Sequence, residues 1–311
     1  MPKGRFAPSP TGRMHLGNVY AALLSWLSAK SKGGEWLLRI EDIDPGRSKK
    51  EHADQIMEDL EWLGLSWDGE VIYQSKRQDI YEHFFDLLRD AGLLYPCFCT
   101  RADLLATQAP HESDGRVVYK GTCRNLTPAD YPANVAPAWR MKVPDEKIEA
   151  TDGHYGAYSI HLPSEIGDFI VRRKDGAFAY QLVVTIDDML TGITEVVRGR
   201  DLLLSTPQHI FLACELRRLD NIKDTDDISY THFPLLINDA GQRLSKRDKS
   251  LDMGILRQHY TAPEIIGTIA HLAGFAPTPS PITPQALLPT FSWEKVPVKD
   301  ITAGESDLFT A

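Results

Sequence analysis

The stretch Gly4–Asn18 reads GRFAPSPTGRMHLGN. Arg5-Phe6-Ala7 predicts a short apolar strand. Pro8, Pro10 and Gly12 break it into a loop. His15-Leu16-Gly17-Asn18 then hands the chain to a helical run, VYAALLSWLSAK. A strand, a Pro- and Gly-rich turn and a helix start can together hold a phosphate. The first backbone N–H groups of a helix lack internal partners, and the macrodipole favours negative charge there. His15 and the small Gly17 let a nucleotide lie against that start. Neither G-x-x-x-x-G-K-[ST] nor G-x-G-x-x-G is present. The plain alternative is that His15 only caps the helix.

A second loop, Arg243-Leu244-Ser245-Lys246-Arg247, changes that balance. Lys246 follows a strand in a polar, turn-flanked segment, where a mobile lysine can stabilise charge as pyrophosphate leaves; such help is worth roughly 10²–10³ in rate. A solvated basic loop is the other reading. Between the two loops, Trp36–Ile40 predicts a buried strand that ends at Glu41-Asp42, where open α/β sheets bind ligands. Lys49–Leu63 and Asp79–Leu88 carry apolar residues at helical spacing. Strand, helix, strand, helix predicts a parallel sheet with crossover helices. From Pro96 to about Gly167 the chain is Pro-rich and irregular, which predicts an inserted subdomain. Phe178–Val184 and Ile193–Arg198 then predict strands, Ser205-Thr206-Pro207 a hydroxyl-capped helix start, and Phe233–Ile237 a further strand. From Leu251 the pattern is helical.

Composition bounds the rest. The chain has 311 residues, 42% apolar and 25% charged, and a net charge of −9, so any nucleic-acid contact must rest on a local basic face. No apolar run approaches the ~20 residues of a membrane span, and no signal peptide is evident. Four cysteines, Cys97, Cys99, Cys123 and Cys214, are too few for a disulfide scaffold. A reduced, cytoplasmic protein, a monomer with no membrane contact, is the expectation.

Two side-chain sets carry chemistry. Arg5 and Arg198 are suited to bidentate carboxylate binding, Glu41 to an α-ammonium group, and Tyr180 to a further hydrogen bond. A substrate with one ammonium and two carboxylates uses all four. Alternatively, Arg5 and Glu41 pair with each other across strand ends. Cys97, Cys99 and Cys123 suggest structural zinc, which takes four tetrahedral ligands. Tyr119 or His111 could complete the set, and buried free thiols are the alternative.

Taken in order, Arg5–Gly12, His15–Asn18, Arg39–Asp44, Val197–Leu202 with Ser205–Pro207, and Leu244–Arg247 resemble the catalytic half of the glutamyl-tRNA synthetases. His-Leu-Gly-Asn is similar to the HIGH signature of class I synthetases and Arg-Leu-Ser-Lys-Arg to KMSKS. A full synthetase continues into an anticodon-binding domain, whereas this sequence ends at Ala311. It therefore most resembles the short paralogue family, the glutamyl-queuosine tRNA(Asp) synthetases. The resemblance implies an α/β fold: a Rossmann-like catalytic domain (1–95 and 168–250), split by an inserted acceptor-binding-like zinc subdomain (96–167) and followed by a short helical C-terminal region (251–311). It implies tRNA-independent activation of L-glutamate by ATP with Mg²⁺, then transfer to queuosine in the anticodon stem-loop of tRNA(Asp). Arg5, Phe6, Ala7, Pro8, Ser9, Glu41, Tyr180 and Arg198 would hold glutamate. His15, Gly17, Asn18 and Lys246 would hold ATP, with His15 and Lys246 catalytic. Cys97, Cys99, Tyr119 and Cys123 would hold zinc. Ordinary 3′-end aminoacylation, or a catalytically silent tRNA-binding paralogue, are the competing readings.

Overall fold

Two segments of parallel sheet, built from the first and second halves of the chain, meet along the strand that opens the sequence. The computed structural model describes residues 1–100, 102–103, 118–222, 227–244 and 251–303. Strand β1 (Lys3–Phe6) leads through the Pro-rich loop into α1 (Leu16–Lys30), then β2 (Glu35–Ile40), α2 (Lys50–Trp62), β3 (Ile72–Tyr73) and α3 (Gln78–Asp90). β1, β2 and β3 pair in parallel, with Arg5 opposite Leu37. Helix α1 is apolar nearly all round and accordingly buried; Leu16, Leu23, Leu24 and Leu27 have no exposed surface.

The next strands, β4 (Leu94–Cys97), β5 (Ala138–Met141) and β8 (Phe169–Arg172), form an antiparallel sheet in that order. Between β5 and β8, the hairpin of β6 (Lys147–Asp152) and β7 (Gly156–His161) pairs elsewhere. Helix α4 (Tyr180–Leu190) leads to β9 (Glu195–Gly199), α5 (Thr206–Leu219) and β10 (Ser229–Phe233). β10 pairs in parallel with β9 and, at Tyr230 opposite Asp152, with β6. Lys3 and Thr194 join the two sheet segments: the Lys3 N–H donates to Thr194 Oγ1 at 2.9 Å and the Thr194 N–H to Lys3 O at 3.0 Å. The strand order therefore reverses between β1 and β9, and a crevice opens at the carboxyl ends of strands at such a point. β11 (Leu236–Ile237), α6 (Met253–His259), α7 (Ala262–Leu272) and β12 (Ile301–Thr302) complete the fold. Ile265, Ile266 and Ile269 of α7 join α1 in one core. A second core joins Phe84 and Phe85 of α3, Leu182 and Ile186 of α4, and Leu212 of α5.

The structure corrects three expectations. Of the strand expected at Phe178–Val184, only Phe178 makes a β-bridge, to Arg172, and Tyr180–Val184 is the start of helix α4. A short continuous apolar run does not distinguish a buried strand from a buried helix, and α4 is buried at every residue from Leu182 to Met189. The strand at Phe233–Ile237 is two strands, β10 and β11, interrupted at Pro234, which cannot donate to a ladder. Ser205 makes no side-chain cap; its backbone is already helical, at the end of a 3₁₀ turn over Arg200–Ser205.

Candidate active site and metal centre

The crevice at the β1/β9 reversal is a cavity of about 450 Å³. The end of β1 supplies Arg5 and Phe6, and the loop after it Ala7, Pro8 and Ser9. The start of α1 supplies His15, Gly17 and Asn18. Glu41 comes from just beyond β2, Tyr180 from the first residue of α4, and Arg198 from β9. Eleven residues expected from sequence thus face one space. Lys246 lies outside the described residues; Leu244, two residues before it, lines the same cavity.

The start of α1 is built by its own side chains. His15 is the N-cap: its Nδ1 accepts from the Gly17 N–H at 3.1 Å, while Asn18 Oδ1 accepts from the His15 N–H at 3.1 Å. This is a capping box made with His and Asn in place of Ser and Glu. A Cβ at Gly17 would lie 2.9 Å from the His15 ring, so glycine is required for the imidazole to fold over the helix start. Capping and exposure to the cavity therefore coexist at His15.

The cations differ in how they are neutralised. Arg5 does not pair with Glu41. Its Nε and Nη2 donate to the two oxygens of Asp188 at 3.1 and 3.2 Å, and both residues are buried. Arg39, 1% exposed, donates from Nη1 to Asp188 at 2.5 Å and from Nη2 to Glu41 at 3.3 Å. Burial disfavours charge on Asp188, yet Arg39 and Arg5 outweigh it and hold the carboxyl well below the usual carboxylate range. At Glu41 burial wins: the carboxyl is pushed up despite Arg39 and Arg5.

Arg198 has only neutral partners. Its Nε donates to His232 Nε2 at 3.0 Å, Nη1 to His209 Nδ1 at 3.1 Å, and Nη2 to Thr206 Oγ1 at 2.8 Å and Leu202 O at 3.3 Å. Arginine can only donate, so both imidazoles accept and their tautomers follow. His232 donates its Nδ1–H to Asp152 at 2.6 Å, and His209 donates its Nε2–H to Gln181. Burial, reinforced by Arg198, holds the imidazole of His209 well below its usual value; His232 is lowered by burial and Arg198, against the pull of Asp152. Among the described cations lining the cavity, Arg243 pairs with Asp201 and Arg5 with Asp188, and Arg198 alone has no carboxylate.

Sequence reasoning missed Asp188, Asp187, His209 and His232, and quoted Arg39 only within a motif. The available signal was Asp187-Asp188 inside a run otherwise apolar on every face. Such acids are buried only when cations meet them. Asp187 is fully buried and accepts from Arg77, Gln74 and Tyr81 at 2.8–3.0 Å.

The cysteines converge at the end of β4. The Sγ atoms of Cys97, Cys99 and Cys123 lie within 4.8 Å of one another, and this group can hold a metal ion. Tyr119 Oη lies 3.5 Å from Cys97 Sγ and 3.9 Å from Cys99 Sγ, and accepts from the Cys123 N–H at 2.7 Å. Gly167, with φ of 70°, bridges to Tyr119; a Cβ there would come within 2.4 Å of Tyr119 O, so this close approach also needs glycine. Burial and a hydrogen bond with Cys123 push the Cys99 thiol up to about 12, a preference that a bound cation would reverse. Cys214 is exposed on α5, and His111 lies outside the described residues.

The family model for tRNA synthetases class I (E and Q), catalytic domain, matches residues 3–281. The glutamyl-Q tRNA(Asp) synthetase of Thiobacillus denitrificans is 45% identical over 279 residues, covering 88% of this chain and 89% of the relative. That of Nitratidesulfovibrio vulgaris is 41% identical, covering 97% and 95%. The glutamate-tRNA synthetase structure from Elizabethkingia anophelis superposes with a TM-score of 0.80 at 27% identity, over 99% of this chain and 69% of that one. The α/β fold, the crevice at the strand reversal and these matches agree: the chain belongs to the class I glutamyl- and glutaminyl-tRNA synthetase catalytic-domain family and, within it, to the glutamyl-Q tRNA(Asp) synthetases.

Proposed function

We propose that this enzyme activates L-glutamate with ATP and transfers it to queuosine in the anticodon loop of tRNA(Asp), the substrates in its relatives' name. The observation that carries the amino-acid half is Arg198, a buried cavity cation with no carboxylate, facing Glu41, a carboxylate that burial leaves short of positive charge. A zwitterion with an extra carboxylate supplies both missing charges. Arg5, Tyr180 and the Phe6–Ser9 backbone complete that subsite.

ATP, entering as its magnesium complex, lies against His15, Gly17 and Asn18, with Lys246 reaching the phosphates. One oxygen of the glutamate α-carboxylate attacks the α-phosphorus. The bond to the β,γ-diphosphate breaks and pyrophosphate leaves. The protein contributes position and charge stabilisation. A nucleophile of the RNA nucleoside then attacks the acyl carbon, the bond to AMP breaks, and the nucleophile's proton passes to phosphate or water.

We assign residues 1–95 and 168–250 to the catalytic domain, 96–167 to an insertion and 251–311 to a helical C-terminal region. In the insertion, Cys97, Cys99, Cys123 and Tyr119 hold one zinc. Zn–S bonds of ~2.3 Å and a Zn–O bond of ~2.0 Å place tetrahedral ligands roughly 3.5–3.8 Å apart; Cys99 Sγ lies 3.5 Å from Cys123 Sγ and Cys97 Sγ 3.5 Å from Tyr119 Oη. The ion's contribution is structural. One zinc per chain is expected by elemental analysis, and Cys123→Ser should lose it. Chelation should expose β4 and β5 to hydrogen exchange before pyrophosphate exchange falls. Metal-free protein, or zinc retained in Cys123→Ser, would refute the assignment.

For the RNA half, glutamate-dependent ATP–pyrophosphate exchange is expected without any RNA. An isolated queuosine-bearing anticodon stem-loop of tRNA(Asp) should accept radiolabelled glutamate, and removal of the tRNA 3′ end should not matter. Charging that needs the 3′-terminal adenosine and ignores queuosine would instead make this an ordinary aminoacylating enzyme.

A further inference from the structure

A second cavity, of about 580 Å³, lies between the cysteine centre and the amino-acid site. The two cavities share a wall. Tyr180 and Leu202 line the first, and their near neighbours Gln181 and Ser205 line the second. Gln181 accepts from His209, which in turn accepts from Arg198. Whatever occupies the second cavity therefore lies one side-chain layer from the carboxylate anchor.

Three neutral polar groups of its lining have no protein partner among the described residues. Ser205-Thr-Pro-Gln208 has the spacing of a capping box, S-x-x-Q. Elsewhere this chain closes such boxes, at Thr261/Glu264 and Thr127/Asp130. At α5 it does not: Ser205 caps nothing. Among the described residues, neither its hydroxyl nor the Gln208 amide has a hydrogen-bond partner, although Ser205 is only 8% exposed and both residues line the cavity. The Gln181 amide nitrogen is likewise uncommitted among them, since its oxygen serves His209. None of these three groups is buried away from solvent as well as unpaired, so they are open to the cavity, and a hydrogen-bonding ligand would take the place of water there.

The charged lining argues against phosphate. Glu165 and Asp168 are acidic. Among the described lining residues the one cation is Arg140, which donates to Asp168 O at 2.6 Å and stacks 3.7 Å over the Tyr119 ring, while its buried Nε has no partner. Phe169 and Ile170 add apolar wall. Neutral donors and acceptors beside apolar surface are how proteins read an unstacked base.

We propose that this cavity takes the nucleobase of the RNA acceptor, read by Ser205, Gln208 and the free amide of Gln181. The proposal rests on the functional reading above and adds to it where the acceptor base lies.

The test uses Ser205→Ala, Gln208→Ala and the double variant in the full chain. Pyrophosphate exchange should stay within about twofold of wild type, which also reports folding. Transfer to the queuosine-bearing stem-loop should fall about tenfold or more in kcat/KM for the double variant. Inhibition of transfer by free queuosine nucleoside should weaken by a similar factor. The salt slope of RNA binding should be unchanged, because no phosphate contact is removed. Unchanged transfer, an equal loss in exchange, or a shallower salt slope would each overturn the proposal. If wild type charges a 3′-terminal adenosine instead, the functional reading fails, but the cavity is still tested: the variants must then lose transfer to that adenosine.

Discussion

Arg198→Ala is expected to raise the KM for glutamate in pyrophosphate exchange by about a hundredfold or more, with the KM for ATP nearly unchanged. Breaking a buried, hydrogen-bonded charge pair costs ~2–5 kcal/mol, and each ~1.4 kcal/mol is tenfold. The loss should clear the lower end of that range because Arg198 is 6% exposed and lies on strand β9. Arg198→Lys should fail almost as badly. The guanidinium is held by acceptors on four sides, His232, His209, Thr206 and Leu202, and a point-charge ammonium cannot reproduce that fork. Glu41→Ala should show the same split between glutamate and ATP, through loss of the partner for the ammonium group. Wild-type glutamate KM in either alanine variant would remove the amino-acid assignment, whereas an equal rise in both KM values would indicate a disturbed fold.

The site was legible in sequence to the extent that its residues lie at element ends. Arg5, Glu41 and Arg198 stand at or beside the end of a strand and His15 at the start of a helix, so local pattern located them. The cysteines were legible as a group because three thiols fall close together in one irregular Pro-rich segment, and the structure brings them into a cluster that could hold a metal. The groups that hold the site's cations were not. Asp188 pairs with Arg5 across 183 positions and Asp152 with His232 across 80, and nothing local encodes such contacts. Helix α4 was misread for a related reason. Buried on all faces from Leu182 to Met189, it has no polar stripe to reveal a 3.6-residue period, and Val183-Val184 pulled the reading toward a strand. Ser205 failed as a cap because the preceding 3₁₀ turn had already fixed its backbone in helical geometry, a constraint set by the chain before it.

Asp188→Asn is expected to destabilise the fold by about 3–5 kcal/mol, the cost of stranding a buried charge. It keeps the shape of the side chain and removes the charge that neutralises two guanidinium groups, on Arg5 and Arg39, both 5% exposed or less. Arg39 would retain Glu41 at 3.3 Å and Asp187 at 3.8 Å, but Arg5 would have no carboxylate among the described ion pairs. At ~2–4 °C per kcal/mol for a chain of this order, the midpoint of thermal unfolding should drop by roughly 10 °C at neutral pH. The pH dependence fixes the cause. The Asp188 carboxyl is depressed in the folded state, so its contribution is fully present above the unfolded value of ~3.9 and is lost as pH falls toward the folded value. The gap between wild type and Asp188→Asn, measured by calorimetry, should therefore be constant from neutral pH down to about 5 and narrow below about 4. A gap that persists undiminished in acid would mean that the introduced amide disturbs packing. A variant melting with wild type at neutral pH would mean that Arg5 and Arg39 find their counter-charge elsewhere, and the buried Arg5–Asp188–Arg39 cluster would then not be what fixes the floor of the amino-acid site.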